Sequence, residues 1–223
     1  MPELKSETVR LKAADGHVLD AVRVHPAGKP RGGVVIVQEI FGITPHVAAV
    51  AHQYALAGFL AIAPALFDRA EKGALIPYTD SAAGLAVVEK LKPEQTLLDL
   101  KAAIDSVAGA GKVGMVGFCW GGTLTFLAAC HLPIAAGVAY YGGGIAKLLE
   151  RSPKAPVMFH FGENDTHIPV KDVEKIKKAY PMGHYYLYPA GHGFNCTDRA
   201  SFDAPSAALA LQRSLDFLHR HVG

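Results

Sequence analysis

The sequence predicts an α/β fold: a mostly parallel central sheet, opened by an antiparallel hairpin, with helices on both faces. Short apolar runs alternate with longer segments of helical periodicity, which is the pattern of strand–helix–strand units. Several runs, such as residues 34–37, are apolar at every position, which is typical of strands buried on both faces of a parallel sheet. Polar and glycine-rich segments follow these runs directly, where the loops of such folds hold their functional sites. No linker or repeat interrupts the 223 residues, so we expect a single domain over 1–223.

The chain opens on the predicted hairpin. Residues 7–12 and 17–25 are strand-like and flank the dipeptide Asp15-Gly16, which favours a tight turn between antiparallel strands. The first buried strand then covers residues 34–37, where the sequence is Val-Val-Ile-Val. We therefore expect two antiparallel strands at the edge of an otherwise parallel sheet.

The first helix of the fold is predicted over residues 45–57. Thr44 is a suitable N-cap, Pro45 fits the first helical position, and Gly58 fits the end of the helix. The next strand is predicted over residues 59–63, so this segment reads as one complete strand–helix–strand unit.

The rest of the chain repeats this alternation after one irregular excursion. Residues 65–81 have no clean periodicity and are expected to form a loop over the sheet edge, whereas the helix predicted over 93–108 starts at Pro93. The remaining predicted strands span residues 113–116, 134–141, 156–161 and 185–188. The remaining predicted helices span residues 82–91, 122–131, 170–179 and 204–221.

The strongest motif of the chain is Gly117-Phe118-Cys119-Trp120-Gly121, between a predicted strand and a predicted helix. It has the glycine–x–nucleophile–x–glycine pattern of a nucleophile elbow, with cysteine in the place of the usual serine. Its glycines fit a turn that strains the nucleophile and brings the strand and the helix into close contact. The turn would display the thiol of Cys119 at a helix N-terminus, which favours the thiolate.

Two further residues complete a candidate catalytic triad. Asp165 and His192 follow later strands, so the chain order is nucleophile, acid, histidine, which is the order found in the α/β-hydrolase fold. Cys119 would attack an acyl carbon, His192 would move the proton, and Asp165 would fix the tautomer of His192. Asp165 could instead cap the following turn, in which case Glu163 or Asp172 would be the nearby substitutes.

A nucleophile of this kind also needs donors for the negative oxygen that forms during the reaction. The expected donors are the backbone amides of Trp120, directly after the nucleophile, and of Ile40, in the loop after the strand at residues 34–37.

Composition argues against several other classes of function. A net charge of +2 without a basic stripe does not favour nucleic-acid binding, and no apolar run is long enough for a membrane helix. The three cysteines have neither disulfide nor metal-ligand spacing, and no signal segment is visible at the N-terminus. We therefore expect a cytoplasmic, monomeric enzyme that acts on a small-molecule substrate and needs no metal or other cofactor.

Three motifs together resemble the dienelactone hydrolase (carboxymethylenebutenolidase) family: Gln-Glu-Ile-Phe-Gly at 38–42, Gly-Phe-Cys-Trp-Gly-Gly at 117–122 and Ala-Gly-His-Gly-Phe at 190–194. The resemblance implies a compact α/β-hydrolase fold without a large lid and the triad Cys119, Asp165 and His192. It also implies that Glu39 is an active-site carboxylate that hydrogen-bonds the resting nucleophile. The implied substrate is a small unsaturated lactone that carries a carboxylate and opens to an oxo acid of the maleylacetate type.

The arginines that would hold this carboxylate match the family only in part. Arg69 stands at one family arginine position, but the other position is occupied by Cys196. The nearest arginine to it is Arg199, which either replaces the family residue or is a surface charge that pairs with Asp198 or Asp203. Further pocket-lining candidates, chosen by position, are Tyr78 and Phe194, together with Trp120 and Tyr140.

The sequence thus supports a cysteine-dependent hydrolase that opens a carboxylate-bearing enol lactone through a thioester. Two alternatives stay open at this stage. The first is that the protein hydrolyses a different small ester, which the departure of Cys196 from the family pattern suggests. The second is that the protein is a non-catalytic redox or ligand-sensing module, in which Cys119 is a reactive thiol on a hydrolase scaffold.

Overall fold

The computed structural model describes residues 4–223, and eight strands in it form one sheet. Residues 1–3, which the sequence prediction includes in the domain and in its N-terminal segment, lie outside the described residues. The strands are β1 (Ser6–Lys12), β2 (Val18–Val24), β3 (Gly33–Val37), β4 (Leu60–Pro64), β5 (Val113–Phe118), β6 (Ala136–Tyr140), β7 (Val157–Gly162) and β8 (His184–Tyr188). Their order in the sheet is β1-β2-β4-β3-β5-β6-β7-β8.

The predicted hairpin and the mostly parallel sheet are confirmed. Strands β1 and β2 pair antiparallel, β2 pairs antiparallel with β4, and every other neighbouring pair is parallel. Strands β3, β5, β6 and β7 are buried along their whole length, which is why their sequences are mostly apolar or small, with His160 in β7 as a buried polar exception.

Six α-helices are found in the described part of the chain. They are α1 (Pro45–Leu56), α2 (Ser81–Val88), α3 (Pro93–Val107), α4 (Trp120–His131), α5 (Val170–Ala179) and α6 (Ala204–His221). The caps of α1 are as predicted, since the side chain of Thr44 accepts a hydrogen bond from the amide of Val47 and Pro45 begins the helix. The irregular segment after β4 contains a short 3-10 helix at Leu66–Arg69.

The chain reverses its direction across the sheet at β3. It leaves β3 towards β4 on one side and later returns to β5 on the other side, where Val37 lies beside Gly117. Right-handed crossovers therefore place α1 and α3 on opposite faces of the sheet. The last helix shares the face of α1, because His219 Nε2 in α6 lies 3.2 Å from the carbonyl oxygen of Ala57.

This reversal determines where a site can form. The loops after β3 and β5 leave the sheet in opposite directions, so a crevice opens between them at the carboxyl ends of the strands. Within residues 4–223, no helix is both long enough and apolar enough to cross a membrane.

Candidate active site

The turn between β5 and α4 is the predicted elbow. Cys119 is its only residue between strand and helix, and it has φ 55° and ψ −115°, a region that non-glycine residues rarely adopt. A Cβ atom on Gly117 would collide with the backbone of Gly121, and one on Gly121 would collide with the carbonyl of Val37. The glycines are therefore required for close approach of backbone segments, as the sequence predicts. Helix α4 begins at Trp120, earlier than predicted, because Cys119 alone makes the turn.

The three predicted triad residues come together above this turn. His192 Nε2 lies 3.2 Å from Cys119 Sγ, and His192 Nδ1 lies 2.8 Å from Asp165 Oδ2. The second oxygen of Asp165 accepts the amides of His167 and Ile168, at 2.8 and 3.0 Å. Asp165 therefore both caps the following turn and contacts His192, and its role as the acid of a catalytic triad stays a prediction.

The substitutes considered for Asp165 lie elsewhere. Asp172 forms a surface ion pair with Lys175 at 2.8 Å, and Glu163 is exposed to solvent. Neither carboxylate contacts His192 in the described residues, so Asp165 is the acid that the geometry brings to the histidine.

The charges of His192 and Asp165 stabilise each other. Burial alone would lower the pKa of His192, but the hydrogen bonds with Asp165 and Cys119 outweigh it and raise that pKa to about 10. Burial likewise opposes ionisation of Asp165, yet the bond with His192 and the two backbone amides hold its pKa below the usual value. The hydrogen bonds on both sides of the ring therefore favour the protonated form of His192, which lies between the carboxylate of Asp165 and the sulfur of Cys119.

The two predicted oxyanion donors lie on adjoining backbone segments. The start of α4 is pressed against the loop after β3, since a side chain at Gly121 would meet the carbonyls of Val37 and Gln38. Among residues 4–223, no protein acceptor takes the amide of Ile40 or that of Trp120. Their service as oxyanion donors stays a prediction that this packing favours.

Glu39 is at the site, but it does not make the predicted contact. Its carboxylate is only 2% exposed and accepts a hydrogen bond from Arg199 Nη1 at 3.2 Å. In the described residues it makes no hydrogen bond to Cys119, whose sulfur is within hydrogen-bond distance of His192 Nε2 instead. Burial raises the pKa of Glu39, while the positive charges of Arg199 and His192 oppose this rise. The expected restraint of the resting nucleophile by Glu39 is therefore wrong for this state of the site.

Arg199 belongs to the site, and its interpretation as a surface charge is wrong. Asp198 accepts from Thr197, and Asp203 caps helix α6, so neither pairs with Arg199. The guanidinium lies 5.5 Å from the ring centroid of Phe41 and abuts Gly193, directly after His192.

Successive turns bring Arg199 to this position. The amide of Cys196 bonds to the carbonyl of Gly193 at 2.9 Å, and the amide of Arg199 bonds to the carbonyl of Cys196 at 3.1 Å. Cys196 itself is fully buried, and burial together with the nearby Glu39 raises its pKa to about 11. It packs as a small core residue, and the cation of this segment comes from Arg199.

Arg69 is not available to a substrate, which corrects the sequence prediction. Its Nη2 lies 2.6 Å from Asp99 Oδ1 and its Nη1 lies 2.7 Å from Asp15 Oδ2. Two carboxylates thus surround one guanidinium that is only 9% exposed. The partners come from the hairpin turn and from helix α3, which no local motif connects with Arg69. This arginine ties the N-terminal hairpin to α3.

Two of the aromatic candidates, Tyr78 and Phe194, have different surroundings in the structure. The hydroxyl of Tyr78 donates to Thr44 Oγ1 at 2.8 Å, and its ring lies 4.8 Å from that of Phe41, which also faces Arg199. Tyr78 therefore stays a candidate for substrate contact. Phe194 is completely buried, with its ring 5.0 Å from that of Tyr188, so the predicted substrate contact is wrong for this residue.

One residue beside the triad has no counterpart in the sequence prediction. Tyr141 is completely buried with φ 37°, and its ring lies 5.1 Å from that of His192. Its hydroxyl has no hydrogen-bond partner within the described residues. The available signal was its place directly after strand β6, among the strand ends that form the site. In residues 4–223 no cluster of histidine, cysteine, aspartate and glutamate could hold a metal ion.

Comparison with known proteins gives a consistent result. The sequence model described as the dienelactone hydrolase family matches residues 19–222. A carboxymethylenebutenolidase of Pseudomonas putida is 34% identical over 226 residues, which cover 96% of this chain and 96% of the relative. A crystal structure from Klebsiella pneumoniae, provisionally named a dienelactone hydrolase, has 29% identity and a TM-score of 0.85, covering 96% of this chain and 98% of that chain. An esterase of Pyrococcus furiosus, 16% identical with a TM-score of 0.74 over 99% of this chain and 94% of its own, shares the fold.

Proposed function

The chain belongs to the dienelactone hydrolase family and is a lactone or ester hydrolase, and from this premise we propose that it opens a small carboxylate-bearing enol lactone through a thioester on Cys119. The observation that carries the proposal is the continuous contact from Cys119 through His192 to Asp165, at 3.2 and 2.8 Å. A non-catalytic sensor would need neither the acid nor the histidine in these positions.

The first half of the reaction forms the thioester. The thiolate of Cys119 attacks the lactone carbonyl, and the resulting oxyanion is held by the amides of Ile40 and Trp120. As the oxyanion collapses, the ring C–O bond breaks and the leaving enolate takes the proton from His192 Nε2. The enol then rearranges to a ketone, and this ketone is the oxo group of the oxo acid product.

The second half releases the product. The neutral His192 takes a proton from a water molecule that attacks the thioester, and the C–S bond breaks to return the thiolate. Asp165 holds Nδ1 of the ring throughout, which supports the imidazolium each time it forms.

The carboxylate of the substrate is proposed to bind Arg199. This guanidinium gives one hydrogen bond to Glu39, and its other N–H donors have no protein acceptor among residues 4–223. A planar guanidinium suits a carboxylate because it can form two parallel hydrogen bonds. The proximity of Arg199 to Gly193, beside His192, supports a place for the carboxylate next to the reacting carbonyl.

A second candidate substrate class is favoured by one observation. Arg69 is held by Asp15 and Asp99, so the cation that the family pattern assigns to this position is neutralised. With a single arginine at the site, a small uncharged ester becomes a competing substrate for the same chemistry.

Hydrolysis of a dienelactone and of p-nitrophenyl acetate, by wild type and by Cys119→Ala, tests the proposal. We expect wild type to prefer the dienelactone and the variant to lose both activities. Mass spectrometry of protein trapped during turnover and then digested should find the acyl group on the peptide that contains Cys119. Equal activity in both proteins would exclude the thioester, and a preference for the uncharged ester would favour the second candidate.

A further inference from the structure

A buried polar network lies beneath the triad and takes no part in the chemistry proposed above. His160, in strand β7, is completely buried, with Nδ1 2.8 Å from the hydroxyl of Tyr188 and Nε2 3.0 Å from Ser214 Oγ. Ser214, in helix α6, also lies 2.8 Å from the hydroxyl of Tyr140 and donates to the carbonyl of Ala210 at 2.7 Å. Strands β6, β7 and β8 are thus connected with α6 through side chains.

The donors and acceptors of this network have one consistent assignment. Because Ser214 gives its only hydroxyl proton to Ala210, it accepts from both Tyr140 and His160 Nε2. His160 is then the Nε2-protonated neutral tautomer, and its Nδ1 accepts the proton of Tyr188. The oxygen of Tyr188 accepts in turn from Arg213 Nη1 at 3.1 Å. Each of these groups is satisfied, so the network fixes its members in one arrangement.

The network lies at the strand ends that carry the triad. His160 is in the strand that leads to Asp165, and Tyr188 is at the end of the strand that leads to His192. Their side-chain bond joins these two strands just below the point where the acid and the histidine leave them. The carbonyl of His160 also accepts the amide of Tyr141 at 2.7 Å, and the ring of Tyr141 packs against that of His192.

We propose that His160 is a positioning residue that sets the distance and orientation between Asp165 and His192 through its bond with Tyr188. The inference rests on the proposed triad chemistry, in which His192 must hold one tautomer and one direction. The backbone ladder between β7 and β8 fixes their register, whereas the His160–Tyr188 bond fixes how their ends tilt towards each other. An apolar residue would fill the same space without ordering the hydroxyl of Tyr188.

The test compares His160→Phe, His160→Gln and Tyr188→Phe with wild type. His160→Phe removes both hydrogen bonds of the imidazole ring, whereas His160→Gln retains one acceptor and one donor. Tyr188→Phe removes the hydroxyl that donates to His160 Nδ1 and accepts from Arg213 Nη1. The readouts are kcat and KM for the lactone and the low-field proton resonance of His192 Nδ1–H, which reports its bond with Asp165. Ile104→Ala, at a buried position in helix α3, is the control for general loss of stability.

We expect His160→Phe and Tyr188→Phe to lower kcat by about 10- to 100-fold with little change in KM, because small misplacements of reacting groups are costly. The low-field resonance should shift or broaden in both variants and recover in His160→Gln. An unchanged resonance and kcat in Tyr188→Phe, or an equal loss in Ile104→Ala, would overturn the inference. If wild type hydrolysed no lactone, the proposed function would fall, while the resonance would still decide the role of His160.

Discussion

The guanidinium of Arg199 lies 3.2 Å from the carboxylate of Glu39, although 160 positions separate the two residues in the sequence. Glu39 is fully buried, so its negative charge needs a nearby cation, and Arg199 supplies it. Glu39 accepts from one N–H group of Arg199, so the proposed substrate carboxylate would bind the N–H groups that Glu39 leaves free.

Replacement of Arg199 by glutamine should selectively impair the carboxylate-bearing lactone. Loss of a charge-assisted hydrogen bond of about 1.5–3 kcal/mol should raise KM for the lactone by roughly 10- to 100-fold. Hydrolysis of p-nitrophenyl acetate, which has no carboxylate, should change little. Steady-state kinetics with the two substrates measure the difference.

The matched control for this prediction is Arg199→Lys. Lysine keeps the positive charge but cannot form two parallel hydrogen bonds, so its effect on KM for the lactone should be intermediate. If both substrates lost activity equally in Arg199→Gln, the residue would maintain the site and would not recognise a carboxylate.

Replacement of Arg69 by glutamine should affect stability and not recognition. The change leaves Asp99, whose side chain is 1% exposed, without its cation, and it removes the link to Asp15. Breaking a buried ion pair by removing one partner costs about 3–5 kcal/mol, so urea should unfold the variant much earlier. The KM values of the folded variant should equal those of wild type. A raised KM for the lactone alone would return Arg69 to the substrate site.

The contrast between the two arginines shows what the sequence can predict. The elbow was predictable because its glycines, nucleophile and following helix are contiguous, and backbone sterics at Gly117 and Gly121 allow few alternatives. The order of Cys119, Asp165 and His192 was predictable because each follows a strand at the same edge of one sheet. The partners of Arg69 and Arg199 were not, because each ion pair joins segments that meet only in the folded chain. The predicted substrate contact of Phe194 was wrong for the same reason, because Phe194 is buried by packing against residues such as Tyr188 that it contacts only in the folded chain.

The interaction of His192 with its two neighbours should appear in the dependence of stability on pH. The pKa of His192 is raised to about 10 in the folded protein, compared with an ordinary value of 6.5. The folded state therefore holds a proton that the unfolded chain releases, so this stability is fully present below pH 6.5 and is lost as the pH rises towards 10. Urea unfolding across this range should detect the loss.

The controls for this pH dependence are Cys119→Ala and His192→Gln. His192→Gln removes the titrating group, so the alkaline loss that remains in it belongs to other residues, such as Cys196. Cys119→Ala removes one of the two bonds that raise the pKa of His192 and should give an intermediate result. A wild-type profile identical to that of His192→Gln would contradict the charged pair.

The acid side of the same profile should report His160. Burial lowers the pKa of His160 to about 3, so on acidification the unfolded chain takes up a proton that the folded protein excludes. This contribution to stability is intact above pH 6.5, the ordinary pKa of histidine, and is lost as the pH falls towards 3. One pKa unit corresponds to about 1.4 kcal/mol, so between pH 6.5 and about 4.5 the loss should reach roughly 2–3 kcal/mol. The variant His160→Gln has no titrating group at this position, so its free energy of unfolding should fall by that much less over the same range. Urea unfolding at each pH measures the difference. Parallel profiles for the two proteins would mean that the imidazole of His160 accepts a proton without unfolding, which its bonds with Tyr188 and Ser214 make unfavourable.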